Sequence, residues 1–298
     1  KHPAGQWNLG RCYHQGWGTA KDLQKALELF LESANADYPN AHVSAARMYY
    51  AGEGTEKNFQ KAFDYLQKAS QHGVAEAMTM IGEMYENGNG FSKSNVKAAE
   101  WYQKAADLED AAGMYKLAVL LLEGNGTEKD PINGNKWMSK AANKGNFRAK
   151  HYVGLKLLKE KDYTGAFKNF KEAASNNVKE SAFFLASFYE EGIATSQNYT
   201  EALKWYEIAA DNNNSDAMNN LGLMYQNGKG ISNPDFSAAA KWYTRGAEMG
   251  NPSAMNNLGS LYNTGKGVQQ SKRTALEWFK KACDAGSQTG CDNVKKFR

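Results

Sequence analysis

The sequence predicts an all-α solenoid, a superhelical stack of about eight helix–turn–helix units, and three observations carry that reading. Paired glycines recur at a fixed period, each pair lies between two helical stripes, and the 298 residues contain only five prolines. The pairs are Gly16/Gly18, Gly52/Gly54, Gly88/Gly90, Gly124/Gly126, Gly228/Gly230 and Gly265/Gly267, and the first four step by 36 residues. Gly192, followed two residues later by Ala194, marks a further unit. The window at Glu160 lacks glycine, and the segment after it is four residues shorter, as a trimmed loop would be.

Upstream of each pair runs a first stripe, such as Ala77, Ile81-Gly82, Tyr85 or Ala217, Leu221-Gly222, Tyr225. Spacings of four and three put these residues on one face of a helix A, where the small residue admits a close neighbour. Downstream runs a second stripe, such as Ala98, Trp101-Tyr102, Ala105-Ala106 or Ala202, Trp205-Tyr206, Ala209-Ala210, which defines a helix B. The first glycine of a pair is expected to end helix A as a left-handed cap, and the second to permit the chain reversal. One hairpin cannot bury both stripes, so neighbouring units must share a core. The predicted units span 4–38, 39–74, 75–110, 111–146, 147–178, 179–214, 215–251 and 252–286, with 287–298 as a polar cap that reads as a natural end. The first unit has no such cap, which points to further sequence ahead of Lys1.

The unit A-x-x-x-L-G-x-x-Y-x-x-G-x-G followed by K-A-x-x-W-Y-x-K-A-A resembles the Sel-1-like repeat, a relative of the tetratricopeptide repeat. Ala217 to Gly222 and its exact copy Ala254 to Gly259 carry the resemblance most cleanly, and it covers about residues 4 to 286. The fifth unit departs most, with Asn169 where Trp usually stands, and the fourth has Leu121 for Tyr and Gly134 for Ala. The resemblance implies a right-handed superhelix and a non-enzymatic scaffold or adaptor for proteins or peptides. In such solenoids helix A lines the concave face, with inward residues two before, two after and five after the Leu of the apolar–small pair. Applied here, the rule gives Trp7, Arg11, His14, Val43, Arg47 and Tyr50 in the first two units, and Thr79, Glu83 and Glu86 in the third. It goes on to Tyr115, Val119 and Leu122, then His151, Leu155 and Leu158, then Phe183, Ser187 and Glu190, and ends in amide-rich units containing Asn219 and Asn256. The apolar window Tyr115, Val119, Leu122, Leu155, Leu158, Phe183 is expected to hold a partner or to pack on itself. Asn219 and Asn256 each offer a donor and an acceptor to a peptide backbone, and Arg47, Glu83 and His151 add polar contacts.

Composition narrows the alternatives. Hydrophobic residues make up 42%, charged residues 23%, and the mean hydropathy is −0.69, as in a folded water-soluble chain. The longest apolar run, Leu117 to Leu122, is far short of a membrane span, so no membrane insertion is expected. A formal charge of +4, dispersed along the chain, does not indicate nucleic acid. The repeated glycine pairs read as turns rather than phosphate cradles, and the five histidines show no metal-ligand spacing, so neither cofactor nor metal is expected. Three N-glycosylation triplets occur at the frequency that chance predicts. The clustered Tyr and Trp residues suit the core better than a carbohydrate site. The order of oligomer is left open.

Three cysteines leave one over if two pair. Cys283 ends the last helix B and Cys291 falls where a ninth helix A would open. They form either a bridge or two thiols in a reducing cell. Their place and spacing are similar to the disulfide of the Helicobacter cysteine-rich proteins, which implies a bridge and a periplasmic or secreted home, with a cytoplasmic one as the alternative. Some of those relatives carry a penicillin-binding or β-lactamase-like label. The only S-x-x-K here is Ser94 to Lys97, with no S-D-N or K-T-G to accompany it, so Ser94 reads as a helix start.

Overall fold

A computed structural model describes residues 2–297; Lys1 and Arg298 lie outside the described residues. Seventeen helices and no strand occur among the described residues. The helices A are α1 (Pro3–Gln15), α3 (Pro39–Ala51), α5 (Ala75–Asn87), α7 (Ala111–Glu123), α9 (Phe147–Lys159), α11 (Glu180–Glu191), α13 (Ser215–Asn227) and α15 (Pro252–Thr264). The helices B are α2 (Leu23–Asn35), α4 (Phe59–Gln71), α6 (Asn95–Asp107), α8 (Pro131–Asn143), α10 (Tyr163–Ser175), α12 (Tyr199–Asp211), α14 (Phe236–Glu248) and α16 (Lys272–Asp284). A last helix, α17 (Gln288–Lys296), takes the place of a ninth helix A. The chain divides into two compact units, Lys1–Ala149 and Lys150–Arg298.

Local chemistry fixes the helix ends. Gly88 closes α5 at φ 75°, in the left-handed region, and its amide bonds back to the Met84 carbonyl. Every helix B starts with a capping side chain: Asp22, Asn58, Ser94, Asp130, Asp162, Asn198, Asp235 and Ser271 each accept the amide three residues on. Each cap satisfies a helix donor that otherwise has no partner. In the fifth hairpin Lys161 takes the left-handed conformation at φ 64°, so the shortened loop still turns without glycine.

The second glycine of every pair after the first has a further duty that the sequence reading did not assign. A Cβ at Gly54 would stand 2.4 Å from the Leu23 carbonyl oxygen at the start of the preceding helix B. The turn therefore packs backbone against backbone, and only glycine fits. Helix A also approaches its own helix B closely: a Cβ at Gly82 would come 2.5 Å from Cε1 of Tyr102.

Within the first unit, Val43 and Ala46 of α3, Leu66 and Ala69 of α4, and Ala77, Ile81 and Met84 of α5 form one buried cluster. Within the second, Ala182 and Ala186 of α11, Tyr206 of α12, and Met218 and Leu221 of α13 do the same. Neighbouring hairpins thus share their cores, as the repeat requires. At the C-terminus a Cys283–Cys291 disulfide joins α16 to α17, and the Phe297 ring lies 5.7 Å from Phe279. Cys12 is a free thiol.

Candidate binding cleft on the helix A face

The first two helices A bring aromatic and basic side chains together. Trp7 on α1 donates its indole N–H to Ser44 Oγ on α3 at 2.9 Å, which orients the ring. Arg11, one turn on, holds its guanidinium 4.9 Å from the Trp7 ring centre and 5.5 Å from that of Trp17. A cation above an aromatic face is attracted by its quadrupole and held in place. Gln15 donates to His14 Nδ1 at 3.0 Å, leaving the ring hydrogen on Nε2, which meets Glu53 Oε2 at 2.7 Å. Arg47 is exposed and pairs with Glu76, while the Tyr50 hydroxyl accepts from Asn89 at 2.6 Å. Trp7, Arg11, His14, Gln15, Ser44, Arg47, Tyr50, Glu53 and Met80, with the buried Phe30 and Met48 at its floor, line a cleft of about 420 Å³.

The remaining predicted residues divide between the two compact units. In the first, Val43 and Thr79 are buried rather than presented on the face. Glu83 and Glu86 share Lys116, whose Nζ lies 3.9 Å and 2.9 Å from them. Burial pushes the Glu83 carboxyl up. Burial would also raise Glu86, but hydrogen bonds from Tyr102 and Lys116 outweigh it and hold that carboxyl below its ordinary value. Tyr115, Val119 and Leu122 are half-buried on α7. Leu122 covers the missing side chain of Gly134: a Cβ there would stand 2.8 Å from Leu122 Cγ.

In the second unit, His151 Nδ1 meets Ser181 Oγ at 2.8 Å, and burial lowers the imidazole pKa. Leu158 packs on the cluster holding Phe170, and Phe183 on the cluster holding Tyr206. Leu155 is the exposed member of the apolar set. Asn219 is buried and its Oδ1 accepts from Asn257 at 2.9 Å; Asn256 Oδ1 accepts from Asn293 at 2.9 Å. Both amide oxygens are therefore engaged in stacking one repeat on the next.

Two regularities escaped the sequence reading. Where helix B carries a fully buried Tyr, the helix A residue above it is an acceptor: Glu86 for Tyr102, Glu190 for Tyr206, Gln226 for Tyr243. Where helix B carries Phe170, that helix A position is Leu158, because no hydroxyl needs a partner there. The histidines, dispersed in sequence, are not all dispersed in space: His42 and His72 both meet Asp37. Ser94 caps α6, accepting the Lys97 amide at 3.3 Å, and Lys97 Nζ lies 5.2 Å from the centre of the Tyr85 ring.

Sequence and structure comparisons fit this geometry. The model of the Sel1 repeat matches residues 3–38, 39–74, 75–110, 111–146, 151–178, 179–214, 215–251 and 252–287. The chain belongs to the Sel1 repeat family. Among solved structures, this Sel1-repeat protein is similar to c5321, described as a protective antigen present in uropathogenic Escherichia coli strains. That match is 27% identical at a TM-score of 0.81, over 99% of this chain and 64% of the other, so the chain spans about two thirds of its length. A Sel1 repeat protein from Oxalobacter formigenes shares the fold at 23% identity and a TM-score of 0.57, over 99% of this chain and 87% of that one. Helicobacter pylori cysteine rich protein B also matches, at 27% identity and a TM-score of 0.35, over 43% of this chain and 96% of its own. No curated protein matches the chain significantly. Sel1-repeat proteins are generally protein-interaction scaffolds.

Proposed function

We propose that this Sel1-repeat protein is a non-enzymatic scaffold that anchors an extended partner segment in the cleft of α1 and α3. The observation that carries this reading is the cleft itself: two exposed guanidinium groups, Arg11 beside the Trp7 ring and Arg47, whose partner Glu76 a bound carboxylate would replace, border an aromatic and methionine-lined hollow. Such a lining suits a segment with a carboxylate beside an aromatic or aliphatic side chain, since a planar fork binds carboxylate and a pocketed ring contributes most of the affinity. Glu83 follows on α5, 3.9 Å from Lys116, and favours a basic residue next along the segment, while Glu86 is engaged by Tyr102 and Lys116. Tyr115, Val119 and Leu122 on α7 then offer apolar contacts. The second unit by itself presents Leu155 as an exposed apolar side chain on α9. The Cys283–Cys291 bridge supports an oxidising compartment, periplasmic or extracellular.

A peptide-display selection against the purified protein tests the proposal. The selected peptides are expected to share an acidic residue within a few positions of an aromatic one. An Arg11→Glu, Arg47→Glu double variant is expected to bind them at least about 30-fold more weakly, or about 2 kcal/mol. Selection of peptides without acidic residues, or equal binding by the double variant, overturns the assignment.

A further inference from the structure

The connection between α2 and α3 holds an Asp, and two histidines converge on it. His42 Nε2, in the first turn of α3, lies 3.1 Å from Asp37 Oδ1. His72 Nε2, at the C-cap of α4, lies 3.0 Å from the same oxygen. All three ligand atoms lie within 4.8 Å of one another, in a shallow depression also lined by Lys68 and Gln71. The Lys68 ammonium is turned toward the Tyr65 ring, 5.6 Å from its centre.

The repeat supplies an internal control for each residue. His42 is the fourth residue of its helix A, where α5, α7, α13 and α15 carry Met78, Met114, Met218 and Met255. It is 1% exposed, so a polar ring replaces a flexible apolar side chain inside the core. That exchange costs desolvation unless the ring is used. Asp37 adopts φ 58° in the connection where Gly73, Gly145, Gly250 and Gly286 stand in four other repeats and Glu109, Asn177 and Asn213 take the same left-handed conformation in three, so a side chain is accommodated there.

An ion pair alone does not account for the set. In the equivalent positions two repeats on, Glu109 and Lys144 meet at 2.5 Å with no third group. What the second repeat adds is the buried His42, whose Nδ1 has no partner, so that its only hydrogen bond is the one it makes to Asp37. Two imidazoles and a carboxylate on one point form the donor set of a borderline-soft divalent ion rather than of calcium or magnesium.

We propose that Asp37, His42 and His72 form a three-ligand site for zinc, with a fourth position open to water. Zinc binds imidazole nitrogen and carboxylate oxygen at about 2.0–2.2 Å in tetrahedral geometry, which three donors this close reach by side-chain rotation. Ligation moves each ring hydrogen to Nδ1. In His42 that buried N–H meets no acceptor, and such a missing outer partner costs about 10–100-fold in affinity.

The test is a competition titration of untagged, chelator-stripped protein with zinc chloride against a chromophoric zinc indicator. One equivalent is expected to bind. His42→Met installs the residue that four sister repeats carry, and Asp37→Gly the one that four sister connections carry, so both variants keep the fold, which circular dichroism checks. Each is expected to weaken zinc binding at least about tenfold. No uptake by the parent protein, or uptake unchanged in both folded variants, overturns the site.

Discussion

The helix A face is built from the same repeat positions in the first two hairpins and in the last two, yet the results differ. In the last two, Asn219 and Asn256 each receive a hydrogen bond from an amide of the following helix, Asn257 and Asn293, and the polar edge is closed. In the first, the corresponding residue is Trp7, whose single donor goes to Ser44 and whose ring face is left for Arg11. The lateral bond is kept in both places. What changes is whether a side chain has recognition surface left once that bond is made. The difference teaches that stacking and binding compete for the same positions, and that a large aromatic residue there serves both.

The widest contrast is expected in binding and stability measured together. Asn219→Ala and Asn256→Ala are expected to leave peptide affinity within about twofold of the parent. Asn219→Ala should lower unfolding free energy by about 1–2 kcal/mol, because it leaves the Asn257 amide without its acceptor. The arginine double variant should do the reverse, and a denaturant titration beside a binding titration reads both. Loss of peptide affinity in the asparagine variants would move the binding face to the last repeats.

Glycines sharpen the same comparison of ends. Gly267→Ala should cost about 2–4 kcal/mol in thermal or denaturant unfolding, combining a left-handed backbone with overpacking. Its Cβ would stand 2.2 Å from the Phe236 carbonyl oxygen. Gly18→Ala occupies the same place in the first hairpin at φ 70°, but meets nothing within 4 Å. It should cost only about 1 kcal/mol, the backbone contribution alone. Equal costs would mean that the turns do not pack against the preceding hairpin.

Reduction of Cys283–Cys291 should lower stability by about 2–3 kcal/mol, since the bridge closes a loop of 8 residues. Hydrogen exchange should report the loss in α17 before any other helix. The smallest effect concerns acid. The Glu86 carboxyl is depressed in the folded chain, so its contribution is present above the ordinary carboxylate range and is lost as pH falls through its folded value. Glu86→Gln should therefore be less stable than the parent at pH 7, and the gap should close as pH falls from about 5 to 3.

The fold was legible because its determinants are local and repeated. Ala217 to Gly222 and Ala254 to Gly259 state helix, close approach and register in six residues, and Gly88 or Gly124 states where the helix stops. The Cys283–Cys291 bridge was legible only through the resemblance to the Helicobacter cysteine-rich proteins, since the residues by themselves left free thiols open. The site was less so, because partner surface depends on which side chains are already engaged across a repeat. Asn219 reads as a free amide until Asn257 is seen beside it, and Leu122 reads as exposed until Gly134 is found beneath it. Leu158 and Phe183 lie half-buried against core clusters, so the stripe rule does not say how much of each side chain is left for a partner. His42 and His72 are 30 residues apart and meet only because hairpins stack in register. The one sequence signal for them was a histidine where the repeat elsewhere places methionine.

The central claim is that the partner is anchored between α1 and α3. Hydrogen–deuterium exchange of the protein with and without a selected acidic–aromatic peptide tests it most directly. The account predicts slowed exchange in α1, in α3 and in the turn from Gly16 to Asp22, with α13 and α15 unchanged. Protection confined to α13 and α15, with α1 and α3 unchanged, would contradict it.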